Sequence, residues 1–84
     1  MQFYYITFRS ITFAQQGERL LTTEGIRCTL QRTPKWMEQQ GCGYCLRLWT
    51  DAPGTAWKLL RENRVPVRKL YVQRPEGQLE EMHL

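Results

Sequence analysis

The order of apolar patterns along the chain predicts an α+β fold of the ferredoxin-like type, with the element order βαββαβ. Four segments have the β-branched, aromatic or alternating composition of strands, and two have the periodicity of amphipathic helices. A strand-helix-strand order that occurs twice folds most simply into a four-stranded antiparallel sheet with both helices on one face. The opposite face of that sheet is then expected to be open.

The first strand and the first helix have the clearest signals. Residues 2–9 are rich in Phe, Tyr, Ile and Thr and contain no turn residue, which favours a strand. Ser10 is a candidate N-cap for a helix over residues 11–23, and Gly25 is a candidate C′ residue because glycine readily enters the left-handed region. The second strand begins near residue 26, and its apolar positions are Ile26, Cys28 and Leu30.

The second half of the chain repeats this order. Thr33-Pro34 resembles a helix start and Gly41 a helix end, so we expect a short helix between them. A third strand follows over residues 44–50, and a second helix, capped by Asp51 or Thr55, runs to about Asn63. A fourth strand spans residues 67–73.

The length of 84 residues allows one domain with one core. We place that α/β domain at residues 1–73 and a C-terminal tail at residues 74–84. The tail carries Pro, Gly and three Glu, a composition that favours a frayed end or a short docked helix.

Composition restricts the function classes. No apolar stretch is long enough for a membrane span or a signal-peptide core. Three cysteines without a secretory signal favour a reducing, cytoplasmic compartment with free thiols. The net charge of +4 comes from scattered residues and indicates a solubilising surface, so nucleic-acid binding is only a third hypothesis. No motif for a cofactor or for enzymatic turnover stands out, so we expect a carrier or binding protein without a cofactor.

Cys42 is the candidate for any chemistry, because Gly41 and Gly43 on either side leave its thiol accessible. A nearby cation would lower the pKa of the thiol, and a short helix ending at Gly41 would have the opposite effect. The alternative, a small residue that fills a tight turn, stays open. The candidate cations are Arg32, Lys35 and Arg47.

Cys45 completes a formal C-x-x-C with Cys42, but it is predicted to lie inside the third strand. Residues three apart in a strand are about 10 Å apart, whereas the Cα atoms of a disulfide lie within roughly 7 Å. A redox pair is therefore the weaker interpretation, and it requires a strand that starts after Cys45. A zinc site built from Cys28, Cys42, Cys45 and His83 is also disfavoured, because one ligand faces the core and another lies in the tail.

The open sheet face offers a second hypothesis. By parity it carries Cys45, Arg47 and Trp49, because Leu46 and Leu48 are the better core residues. An open face with an aromatic and a basic side chain suits a protein partner or a second copy in a homodimer. The chain would then be a non-enzymatic interaction module that acts through this face.

Around Cys42 the sequence is Gly41-Cys42-Gly43-Tyr44 followed by Leu46-Arg47. Three further motifs are Phe8-Arg9-Ser10, Leu20-Leu21 with Glu24-Gly25-Ile26, and Thr33-Pro34. Together these motifs resemble the selenium/sulfur carrier protein-like family of small bacterial proteins. The resemblance covers residues 5–72, and the motif around Cys42 is its most specific part.

The resemblance implies that Cys42 carries sulfur or selenium as a persulfide or selenosulfide and passes it between donor and acceptor proteins. Arg47 would be the basic companion that stabilises the thiolate of Cys42. Cys45 stands where the family more often has Ala or Ser, so it is either a resolving thiol particular to this chain or a neutral small residue.

Overall fold

The structure is a computed structural model that describes residues 2–33 and 43–83. This part of the chain is α+β, as predicted, with two helices and a five-stranded antiparallel sheet in the order β2-β3-β1-β4-β5. The strands are β1 (Gln2–Thr7), β2 (Arg27–Arg32), β3 (Tyr44–Thr50), β4 (Leu70–Gln73) and β5 (Leu79–Met82), and the helices are α1 (Ile11–Thr23) and α2 (Pro53–Glu62).

Helix α1 begins and ends as its sequence predicts. The Ser10 hydroxyl accepts a hydrogen bond from the backbone N–H of Phe13 at 3.2 Å, which satisfies a donor in the first turn. At the other end Gly25 has a φ of 83°, and the next N–H, that of Ile26, donates to the Leu21 carbonyl at 2.8 Å. This reversal directs the chain into β2.

Helix α2 begins differently from the prediction. Neither Asp51 nor Thr55 caps it: Ala52 occupies the N-cap position, without a side-chain hydrogen bond, and Pro53 starts the helix. Proline suits this position because its missing N–H would have no helical partner there. The approach is instead fixed by the Thr50 hydroxyl, which accepts a hydrogen bond from the Ala52 N–H at 3.0 Å.

Both helices pack on the same face of the sheet. The side chains of the main core are contributed by both helices and by the strands, and the largest fully buried ones include Phe8, Leu21, Leu46, Leu48 and Leu60. A second, smaller cluster lies on the other face, where Tyr5, Cys45 and Tyr71 are buried with Phe3 and Leu79 against them. The face that we expected to be open is therefore partly covered by its own aromatic side chains.

The C-terminal half of the sheet departs from the prediction in two ways. Strand β4 begins at Leu70 rather than at Val67, because the N–H groups of Arg68 and Lys69 bond to the carbonyl and hydroxyl of Thr7 at the end of β1. Residues 79–82, predicted to belong to a tail, form β5 and pair with β4. Two adjacent glutamates interrupt the alternation of this strand in the sequence, although Leu79 and Met82 each contact a core cluster.

Two further predictions concern the segment between β2 and β3 and the membrane. The short helix predicted from Thr33-Pro34 to Gly41 falls on residues 34–42, which lie outside the described residues. In the part of the chain that is described, neither helix is long and apolar enough to cross a bilayer.

Gly17 is the position where α1 approaches its neighbours most closely. A Cβ there would lie 3.1 Å from Phe8 Cζ and 3.2 Å from atoms of Leu46 and Leu60, whereas a Cβ at Gly54 in α2 would meet nothing within 4 Å. We expect Gly17→Val to lower the free energy of unfolding by about 1–3 kcal/mol through overpacking. Gly54→Val, the matched control, should leave it within about 0.5 kcal/mol. Urea denaturation followed by circular dichroism measures both, and equal effects would contradict the close approach.

Glu80 of β5 accepts a hydrogen bond from Arg74 at 3.0 Å, and this bond holds the pKa of the Glu80 carboxyl below its ordinary value. The stabilisation is present above the ordinary glutamate pKa and is lost as the pH falls through the lowered value. We expect a carboxyl NMR titration to place the Glu80 midpoint below the ordinary value for a glutamate. Arg74→Gln should return it to the ordinary value, and an unchanged midpoint in that variant would show that Arg74 is not the cause.

Candidate functional site

The hairpin of β2 and β3 fixes both ends of the segment that contains Cys42. Arg32 and Tyr44 are the last partners in the register, and beyond them the Thr33 N–H donates to the Gly43 carbonyl at 2.7 Å. Gly43 has a φ of 84°, a conformation that residues with a side chain rarely adopt. Cys42 itself lies outside the described residues. The chain therefore leaves the sheet at Thr33 and returns at Gly43, next to where it left.

Arg32 is held at this end of the hairpin. Its Nη1 donates to the Tyr44 hydroxyl at 3.3 Å, and its Cζ lies 5.4 Å from the centre of the Tyr44 ring. Tyr44 in turn packs against the main core. Among the cations that the sequence suggested, Arg32 is thus positioned beside Gly43, and Lys35 lies outside the described residues.

Arg47 is directed towards the other end of β3. Its Cζ lies 3.6 Å from the centre of the Phe3 ring, and Phe3 is the register partner of Trp49. Arg47 is the fourth residue after Gly43, and an extended chain spans about 13 Å over that length. The role of Arg47 as a stabiliser of the Cys42 thiolate stays a prediction, because Cys42 is outside the described residues.

Cys45 lies inside β3, which begins at Tyr44, so the condition set for a redox C-x-x-C is not met. Its side chain has no exposed surface and packs with Tyr5 and Tyr71. The predicted role of Cys45 as a resolving thiol is not tested by this geometry, but it would require the thiol to become exposed first.

Cys28 lies on the helix-bearing side of β2, as its sequence position predicts. Its thiol is a free one that lies 3.8 Å from the Thr22 hydroxyl and 3.8 Å from the Glu18 carbonyl oxygen. Burial raises the pKa of Cys28; the hydrogen bond to Thr22 opposes this rise and the charge of Glu18 adds to it. Cys28 is therefore protonated at neutral pH and a poor nucleophile.

The proposed zinc ligands are not brought together by the described residues. Cys28 and Cys45 lie on opposite faces of the sheet, and His83 lies beyond β5, 3.8 Å from a Glu81 carboxylate oxygen. Within residues 2–33 and 43–83, no group of three His, Cys, Asp or Glu side chains could hold a metal ion.

A shallow depression of about 750 Å³ lies at the end of the hairpin away from Gly43, and we call it the β2 depression. Phe3 and Trp49 form one wall, with ring centres 4.5 Å apart and an angle of 48° between the rings. Phe3 was not predicted as a site residue, although pairing β1 with β3 in its alternation would have placed it beside Trp49. The lining residues are Phe3, Thr22, Gly25, Ile26, Arg27, Cys28, Thr29, Arg47 and Trp49.

Comparison with known proteins yields one family. A search of the curated proteins and a search of the solved structures gave no significant match. A family model described as "Putative Se/S carrier protein-like" matches residues 3–72, which include Cys42, Cys45 and Arg47. Because the match extends from β1 to β4 and covers most of the chain, the protein belongs to this Se/S carrier protein-like family.

Proposed function

We propose that this protein is a sulfur or selenium carrier in which Cys42 holds the cargo as a persulfide or selenosulfide. The observation that carries the proposal is the family match over residues 3–72, because it spans the Gly-flanked cysteine and the whole hairpin around it. The partners are donor and acceptor proteins, and the protein acts as a carrier in the cytoplasm rather than as an enzyme with turnover.

The transfer needs no external oxidant or reductant. The Cys42 thiol loses its proton, and the thiolate attacks the outer sulfur of a donor persulfide, R–S–SH. The sulfur–sulfur bond of the donor breaks, a bond from Cys42 to the outer sulfur forms, and the donor leaves as a thiolate that takes up the proton. An acceptor thiolate repeats the exchange in the second step, and selenium follows the same sequence through a selenosulfide.

The end of the β2–β3 hairpin next to Gly43 supports this proposal. A nucleophilic thiol has to be presented by a stable framework, and the Thr33–Gly43 hydrogen bond fixes the two points between which Cys42 is carried. Arg32 adds a positive charge at that end, where it would favour a thiolate. We interpret the elements from β1 to β4 as a ferredoxin-like unit to which β5 is added, and the order β2-β3-β1-β4 of these strands supports this interpretation.

A second candidate function is a non-enzymatic interaction module on the sheet face opposite the helices. The contacts of Phe3 with Arg47 and with Trp49 favour it, since Trp49 retains 37% of its surface exposed beside a basic residue. In this function the same face could join two copies of the chain. What the face recognises would then depend on the charge and shape of the β2 depression.

Sulfur loading tests the leading proposal. Incubation with a cysteine desulfurase and cysteine should add the mass of one or more sulfur atoms to the intact protein, and a thiol reductant should remove it. We expect Cys42→Ser to abolish the addition and Cys28→Ser, the matched control, to retain it. Intact-protein mass spectrometry is the measurement. Loading that persists in Cys42→Ser would exclude Cys42 as the carrier.

Thiol alkylation provides an independent prediction. We expect iodoacetamide at neutral pH to modify Cys42 first, because Cys45 is buried and the pKa of Cys28 is raised. In urea all three should react at similar rates, since unfolding removes both forms of protection. Peptide mapping over time gives the order, and modification of Cys28 or Cys45 before Cys42 in the folded protein would contradict it.

A further inference from the structure

The β2 depression is basic, and none of the described residues that line it is acidic. Arg27 and Arg47 are its charged residues, and neither takes part in an ion pair within residues 2–33 and 43–83. They lie on the same face, because Arg27 is the register partner of Trp49 and Arg47 that of Thr29. A ligand with negative charge would supply the acceptors that this part of the chain lacks.

Arg47 supplies the second positive charge of the depression. Its guanidinium lies against the Phe3 ring, and its Nε is buried without an acceptor in the described structure. The two terminal amino groups of Arg47 are not among the buried unpartnered atoms. Stacking on an aromatic ring restricts the guanidinium but leaves its edge available for a carboxylate.

The strand that borders the depression has an open edge. Strand β2 is the outermost strand on its side of the described sheet, with β3 as its neighbour. Four consecutive residues, 26–29, line the depression. Because successive side chains of a strand point to opposite faces, the depression extends around the edge of the sheet. A sheet edge of this kind accepts an added strand from a partner through main-chain hydrogen bonds.

We propose that the β2 depression binds an extended acidic segment of a partner protein by strand addition to β2. Carboxylate side chains of the segment on that face lie against Arg27 at the edge, and the positive charge of Arg47, one strand further from the edge, attracts them at longer range. The intervening apolar side chains lie against Ile26 and Cys28 on the other face.

The β2 depression lies away from Gly43, the residue that follows Cys42 in the sequence. Trp49 lies six residues after Gly43, the residue that precedes β3, and an extended chain spans about 20 Å over that length. A segment bound at the depression would therefore not contact Gly43. The proposal does not depend on Cys42 carrying sulfur.

An acetylated, amidated octapeptide of alternating Asp and Val tests the proposal, with an alternating Asn and Val peptide as its uncharged control. We expect the Asp peptide to shift the amide NMR signals of residues 26–29 and the indole signal of Trp49, and to bind more weakly as salt rises. The Asn peptide should bind at least about tenfold more weakly, because it lacks the negative charge that the two arginines attract.

Three variants locate the site. Arg27→Gln should weaken binding of the Asp peptide by about three- to tenfold, the range for a charge-assisted contact to a partly exposed group. Arg47→Gln removes a more distant charge and should weaken it less, by about two- to threefold. Arg61→Gln removes the same charge from the exposed side of α2 and should have no effect. Arg27 is exposed, so its replacement tests the site without disturbing the core.

The alternatives give different results. Equal binding of the Asp and Asn peptides, or unchanged affinity in both the Arg27 and Arg47 variants, would overturn the proposal. Shifts of the same signals with protein concentration alone would assign the surface to a second copy, and tighter binding of octathymidylate there would assign it to nucleic acid; either result overturns the proposal. Cys42→Ser should bind the peptide normally, so failure of sulfur loading and failure of peptide binding are distinguished.

Discussion

The pairing of β1 with β3 is the interaction on which the rest of the structure depends. Six residues of each strand are in register, from Gln2 opposite Thr50 to Thr7 opposite Cys45. Because side chains alternate between faces, this one register places Ile6 and Leu46 in the main core and Phe3 and Trp49 on the opposite face. A shift by a single residue would exchange the two sets, so the core and the β2 depression are specified together.

The elements with strong local signals could be predicted from the sequence. Helix α1 has a capping serine, a buried stripe and a terminal glycine, and all three act in the structure as expected. The predicted N-cap residues of α2, Asp51 and Thr55, were wrong. Pro53 at the first helical position would have indicated the correct start of the helix. Strand β5 was missed because its stability comes from the ladder with β4 and from contacts of Leu79 and Met82, which no local pattern of four residues reveals.

The sequence predicted which residues of the candidate site share a face of the sheet, but not how buried they are or where their side chains extend. The parity of β3 correctly placed Cys45, Arg47 and Trp49 on one face, but it could not show that Tyr5 and Tyr71 would bury Cys45. Parity also could not show the direction of a long side chain: Arg47 extends to Phe3, whose position depends on pairing with a strand about 45 residues away along the chain. Arg32 lies at the end of the hairpin next to Gly43. Its position follows from the pairing of β2 with the next strand along the chain, in which Tyr44 is its register partner.

The placement of the other two cysteines affects how long a cargo atom could survive. A bound outer sulfur is discharged when a second thiolate attacks the carrying cysteine and releases hydrogen sulfide, leaving a disulfide. Cys45 is sealed on one side of the sheet and Cys28 is kept protonated on the other. For a carrier of the proposed kind, the burial of Cys45 and the protonation of Cys28 would thus protect the persulfide from thiols of the same chain. The cargo sulfur would then remain bound until an external acceptor takes it.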